Sequence, residues 1–276
     1  MAATDELAYK PPGPESEASA AMPNDWSWNA WRADIGCAAA LLSRLPVPAQ
    51  VPERADWARA TRAFPLVGAG IGLIGGAAFW FVDSMGLPPL IAGLIAVGVT
   101  IWASGALHED GLADVADGFG GGRDRGHKLA IMRDSRIGAY GVLALVLSVG
   151  LRVAALASLA EPPLVVTALV AAHAVARAPL AAVMALTPLA RPDGLAASTG
   201  KPGLGQALTA LILGLLVGLF VLGPAEGFTV WLVAGLAAVI LLSLARGQIG
   251  GYTGDVLGAI EQAGEAAALL CLVALR

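Results

Sequence analysis

The chain has 276 residues, 57% of them hydrophobic and only 14% charged, where soluble domains run at roughly 45–50% and about 25%. That balance excludes disorder and a coiled coil, and a net charge of −4 with a pI near 5.4 excludes a long basic face for nucleic acid. A mean hydropathy of +0.72 points instead to an all-α, polytopic membrane helix bundle, in which seven spans would take roughly half the length.

In chain order, residues 1–25 are rich in Pro, Glu, Ser and Ala and predict a flexible tail. Residues 26–276 read as one integral-membrane domain. Asp5 and Glu6 precede any basic residue and no early apolar core follows, so no cleaved signal peptide is expected. Trp26, Trp28 and Trp31 come before a short apolar stretch, Ile35 to Leu45, which predicts an interfacial helix with its tryptophans at headgroup level. A basic, polar connector runs from Pro46 to Ala63.

About seven spanning helices follow, near 64–82, 88–107, 138–160, 163–187, 206–223, 228–245 and 255–275. Glycine, 35 of 276 residues, suits close packing between membrane helices. Arg152, His173, Arg177, Glu261 and Glu265 fall inside spans. Such a charged group costs about 2.5–3.5 kcal/mol at mid-membrane, so these residues are expected to face protein or water. Glu265 is expected to pair with Arg152 or Arg177 or to line a polar cavity, and His173 to be a satisfied core histidine. Cys37 and Cys271 lack any metal-ligand spacing and read as buried thiols.

Basic residues set the orientation. Of the 17 Lys and Arg, all but Arg152, Arg177 and Arg276 lie before span one or in alternate loops: 108–137, 188–205 and 246–254. The loops near Asp83, Glu161 and Glu226 have none. The basic side is therefore the cytoplasm.

The chemistry concentrates in the loop after span two. Asp110, Asp114 and Asp117 are spaced i, i+4, i+7, one face of a helix, with Glu109 to one side. At an effective dielectric near 20, each close pair of like charges costs about 3 kcal/mol. The set therefore needs protons or a cation, and oxygen-only ligands suit Mg²⁺ or Mn²⁺. Gly118, Gly120, Gly121 and Gly122 suggest a phosphate-holding turn. Arg123, Arg125, Lys128, Arg133 and Arg136 offer countercharge for a polyphosphate. His108 is open between general base, phosphate donor and interfacial residue. A second glycine-rich segment, Gly250 to Ala259, places Asp255 at the start of span seven, a favourable end for a carboxylate.

These segments carry a resemblance. Leu45-Pro46-Val47-Pro48 after Arg44, Phe64 to Gly68, Leu107 to Asp114, Asp134 to Gly138 and Gly250 to Asp255 together resemble the cobalamin synthase family, the adenosylcobinamide-GDP ribazoletransferases. The likeness runs from about residue 37 to the C-terminus. It implies transfer of a phosphocobinamide group from adenosylcobinamide-GDP to α-ribazole or its 5′-phosphate, with release of GMP. It also implies Mg²⁺ dependence, a bacterial inner-membrane location and an active site facing the cytoplasm. On that reading Glu109, Asp110, Asp114 and Asp117 are the metal ligands. One of these carboxylates, or His108, takes the proton of the attacking hydroxyl. Gly120, Gly121, the five basic residues and Asp255 bind substrate phosphate. Pathway partners and a homo-oligomer stay open. Two rivals are weighed: a CDP-alcohol phosphotransferase, whose Ala-Arg pair and wider aspartate spacing are missing here, and a transporter, for which no repeat of the His108–Asp117 segment is found.

Overall fold

The computed structural model describes residues 26–47 and 54–276, with side chains of the second stretch described from Trp57 onward. The expected tail, 1–25, lies outside the described residues. Among the described residues the secondary structure is helical with no strand; one isolated parallel bridge joins Leu189 to Tyr252.

Helix α1, Trp28–Leu42, starts seven residues earlier than the apolar stretch suggests, because Ser27 accepts a hydrogen bond from the Ala30 N–H and caps it. The basic connector is helical over its second half. It contains α2, Arg54–Ala60, and a 3₁₀ turn, Thr61–Ala63, that runs straight into α3, Phe64–Ser84. Asp34 explains this. Its buried carboxylate accepts from Arg59 Nε at 2.9 Å and Arg62 Nε at 2.6 Å, and the Arg62 guanidinium also lies 4.2 Å from the Trp31 ring centroid. The ion pairs tie α1 to the entry of α3.

Six helical stretches are long and apolar enough to cross a membrane: Trp57–Ser84, Ala139–Leu159 (α7), Pro162–Leu186 (α8), Leu204–Leu222 (α10), Pro224–Ile249 (α11) and Gly254–Ala274 (α12). The seventh expected span is bent. Helix α4, Pro89–Ser104, and helix α5, Leu107–Gly121, meet at 92°. The break is at Gly105 and Ala106, both left-handed at φ 70° and 58°. Gly105 suits that conformation and Ala106 does not. Arg44 holds the corner: its backbone N–H donates to Ala103 O at 2.8 Å and its side chain covers Gly105. The acidic segment read as a loop is thus a helix turned back along the bundle end. Two short helices, α6 (Arg125–Ile131) and α9 (Leu195–Thr199), complete that end.

Helix α8 is the axle of the bundle, buried along most of its length and packed by α3, α10, α11 and α12. Gly68, Gly72 and Gly76, one turn apart, put α3 directly on the α8 backbone at His173, Leu169 and Val166. A methyl group at any of them would overlap α8.

Candidate active site

Two glycines bring the chemistry together. A side chain at Gly111 would strike the backbone of Asp255, and one at Gly258 the backbone of His108. Helices α5 and α12 therefore cross in backbone contact, which sets Asp255 beside Asp110 and Asp114. The loop after α8 closes the third side. Ala190 N–H donates to Tyr252 O at 2.8 Å, and Tyr252 N–H to Pro188 O at 3.1 Å. That two-bond clamp delivers Arg191, whose Nη2 is 3.3 Å from Asp255 Oδ2.

A cavity of about 260 Å³ results, with His108, Asp110, Arg191, Thr199 and Asp255 in its lining. Arg191 Nη1 is buried and has no hydrogen-bond partner. A buried guanidinium nitrogen left unsatisfied is costly, so this donor calls for an acceptor. Asp114 is one turn beyond Asp110 on α5. Asp110, Asp255 and Asp117 press on it with like charge, and Arg191 is the cation that acts on it. Neither the Asp110 nor the Asp114 carboxylate has a hydrogen bond or ion pair among the described residues. Unpaired carboxylate oxygens in this number fit a hard divalent cation.

The four carboxylates expected to act as one metal set are divided by the fold. Glu109 turns inward, where Arg152 Nη1 and Nη2 donate to its Oε1 at 3.2 Å each and Gln262 Nε2 at 3.1 Å. Asp117 reaches across to α7 and accepts from the N–H groups of Gly138 at 2.7 Å and Gly141 at 2.9 Å. It caps another helix at its positive end. Asp110 and Asp114 stay at the site.

The glycine run is not an open turn. Gly118, Gly120 and Gly121 are in the last turn of α5, against Met132, the Tyr140 ring and Ile131 respectively. The basic set spreads over the same bundle end. Arg125 Nη2 donates to Ala190 O at 2.9 Å, Lys128 Nζ to Gln248, and Arg133 Nη2 to both oxygens of Asp193 at 2.6 and 2.8 Å. Arg136 pairs locally with Asp134, whose carboxyl it holds down from 3.8 to about 2. Arg123 is exposed. None of these lines the cavity. Arg125 and Arg133 hold the loop that carries Arg191, which does.

Below the cavity is a buried ionic lattice. Arg152 Nη1 bridges Glu109 Oε1 and Glu265 Oε1, both at 3.2 Å, the pairing expected for Glu265. Arg177 Nη1 pairs with Glu261 and with His173 Nδ1. His173 is not fully satisfied, because its Nε2 has no partner. His108 joins the two levels: its ring lines the cavity while Nδ1 lies 3.6 Å from Glu261 Oε2. Sequence reading missed Arg191 as a site residue. Its number in the chain, far from the acidic motif, gives no hint of the contact.

Fold and site together define the class as a polytopic α-helical membrane protein with an acidic and cationic cavity at one end of its bundle. The family model for Cobalamin-5-phosphate synthase matches residues 34–273, and the chain belongs to that family. Adenosylcobinamide-GDP ribazoletransferase of Bradyrhizobium diazoefficiens is 51% identical over 244 residues, covering 88% of this chain and 94% of that protein. The enzymes of the same name from Azorhizobium caulinodans and Mesorhizobium japonicum are each 44% identical, over 86% of this chain and 94% and 91% of theirs. No solved structure matches the chain.

Proposed function

We propose that the chain joins the nucleotide to the corrinoid in cobalamin assembly. It moves the phosphocobinamide group of adenosylcobinamide-GDP onto a hydroxyl of α-ribazole or its 5′-phosphate and releases GMP. The observation that carries the reading is the cavity in which Arg191, Asp110, Asp255 and His108 meet, in a chain of this family.

The acceptor hydroxyl attacks the phosphorus bonded to cobinamide, the bridging P–O bond to GMP breaks, and the hydroxyl proton leaves to a base. The His108 ring and the Asp110 carboxylate both line the cavity and are the two candidates for that base. Arg191 Nη1 supplies a donor for a phosphate oxygen, and Asp255 holds the guanidinium in place through Nη2. Asp110 and Asp114 would hold Mg²⁺ or Mn²⁺, which when bound neutralises charge on the pyrophosphate and on departing GMP.

Purified protein in detergent should release GMP from adenosylcobinamide-GDP only when ribazole is present. It should stop with EDTA and resume with Mg²⁺ or Mn²⁺. No ribazole-dependent release would sink the reaction; full turnover in metal-free buffer would remove the cation.

The same reading puts the chain in the bacterial inner membrane with the cavity toward the cytoplasm. Its support is the gathering of Arg125, Lys128, Arg133 and Arg191 at the cavity end. Cysteines at Ser135 and Lys201 should resist an impermeant thiol reagent in spheroplasts, and one at Ser84 should react. The reverse pattern would invert the topology.

A further inference from the structure

The cavity's lining is of two kinds. Besides the polar groups it holds a hydrocarbon wall built from Leu41 and Leu42 of α1, Phe64 of α3, Leu180 and Met184 of α8, and Leu257 of α12. No side chain in that wall donates or accepts a hydrogen bond.

We propose that this cavity is the acceptor subsite: the wall receives the aromatic base of ribazole, and the ribose hydroxyl faces Asp110 and Asp255. The assignment rests on the transfer reaction proposed above and goes further by naming which substrate sits where. Three arguments select ribazole over the other bodies in that reaction. Guanine presents donors and acceptors on its edge, and an apolar wall would leave them unpaired in a buried place, which such sites reject strongly. The base of ribazole is a benzimidazole carrying two methyl groups, with one free ring nitrogen as its only hydrogen-bonding group and the rest of its surface hydrocarbon. Second, about 260 Å³ is just below the usual range for ligand sites, roughly 300–1,000 Å³. A riboside suits that scale and a corrinoid macrocycle does not. Third, Asp110 and Asp255 in the lining offer acceptors for the ribose hydroxyl whose proton is lost in the transfer.

The wall also gives α1 a purpose. Asp34 anchors that helix through Arg59 and Arg62, so Leu41 and Leu42 are held as a fixed surface. Met184, in the same wall, is unbranched and adaptable.

The test fills the wall and reads the two substrates separately. Leu41→Trp and Met184→Phe, each checked for unchanged melting, should raise KM for ribazole by about tenfold or more, the scale of a misfit methyl or methylene in an apolar pocket. KM for adenosylcobinamide-GDP should stay within about twofold. Preference should move from the dimethylated riboside toward the riboside of unsubstituted benzimidazole. A rise confined to adenosylcobinamide-GDP, or no change in either KM, would overturn the assignment. Should the filled variants not fold, Leu41→Cys gives a second reading on full-length protein. Alkylation of that thiol should be slowed by ribazole and not by GMP. Protection by GMP alone, or by neither, would equally overturn it. If the transfer reaction itself is wrong, wild-type protein releases no GMP, whereas the alkylation experiment still reports on the subsite.

Discussion

Glu109 and Asp110 are neighbours in the chain and belong to different worlds. Asp110 lines the cavity with no partner among the described residues, while Glu109 is buried and bonded to Arg152 and Gln262. A helix turns about 100° per residue, so adjacent side chains on α5 face different surroundings. In the lattice below the cavity, each carboxylate is in an ion pair within the protein: Arg152 and Arg177 hold Glu109, Glu261 and Glu265, although Glu109 Oε2, Glu265 Oε2, Arg177 Nε and His173 Nε2 have no hydrogen bond. At the cavity, Arg191 pairs with Asp255 but keeps a nitrogen without an acceptor, and the Asp110 and Asp114 carboxylates have no ion pair among the described residues. Carboxylates that look alike in sequence therefore separate into those that hold the bundle and those left open to a ligand.

Breaking the lattice should give the largest effect. Arg152→Met leaves Glu109 and Glu265 buried without their guanidinium, and removing one partner of a buried pair costs about 3–5 kcal/mol. Thermal unfolding in detergent should show a marked fall in Tm. A variant melting like wild type would mean the ion pairs carry little of the stability.

The cavity should behave the other way. Asp114→Asn removes a charge from a crowded acidic face, so melting should hold or rise. Loss of a contact that stabilises transition-state charge costs about 2.7–4 kcal/mol, or roughly 10²–10³ in rate, and GMP release should fall accordingly. Near-normal turnover at limiting Mg²⁺ would take Asp114 out of the site.

Asp117 sharpens the comparison, because it shares the helix face with Asp114 but caps α7. Asp117→Asn keeps one acceptor oxygen and should lower stability by about 1 kcal/mol, with turnover per folded molecule little changed. A loss of activity matching that of Asp114→Asn, at unchanged Tm, would return Asp117 to the catalytic set.

The smallest effect belongs to Asp134. Arg136 lowers its carboxyl from 3.8 to about 2, so the contact favours the folded state above the ordinary value and fades as pH falls toward 2. The residue is in an exposed turn, where such pairs contribute little. Asp134→Asn should leave Tm within error between pH 5 and 8; a clear drop there would show that the turn organises the site.

Much of this was legible in one dimension. Hydropathy and span length are local properties, and apolar runs must become helices in lipid because no water satisfies their backbone. The all-α membrane bundle, and in-span charges that face protein, follow from that. The helix at 54–60 did not follow, because what pairs it with α1 is a buried aspartate twenty-five residues upstream.

The acidic motif was legible as chemistry, and its i, i+4 spacing singled out Asp110 and Asp114. Its division was not, since the Glu109 partner is Arg152 and the Asp117 partners are the Gly138 and Gly141 amides, all set by packing between helices. Nor could sequence show that the glycines after Asp117 pack a helix end, or that Arg191 meets Asp255 across a sixty-residue gap. Composition and periodicity are enough to decide that a segment is a membrane helix and that a cluster of carboxylates is electrostatically strained. Which carboxylate is relieved by an arginine, which by a helix end and which by neither depends on distances of a few ångströms between distant segments. The close crossing of α5 and α12 at Gly111 and Gly258 decides that in three dimensions.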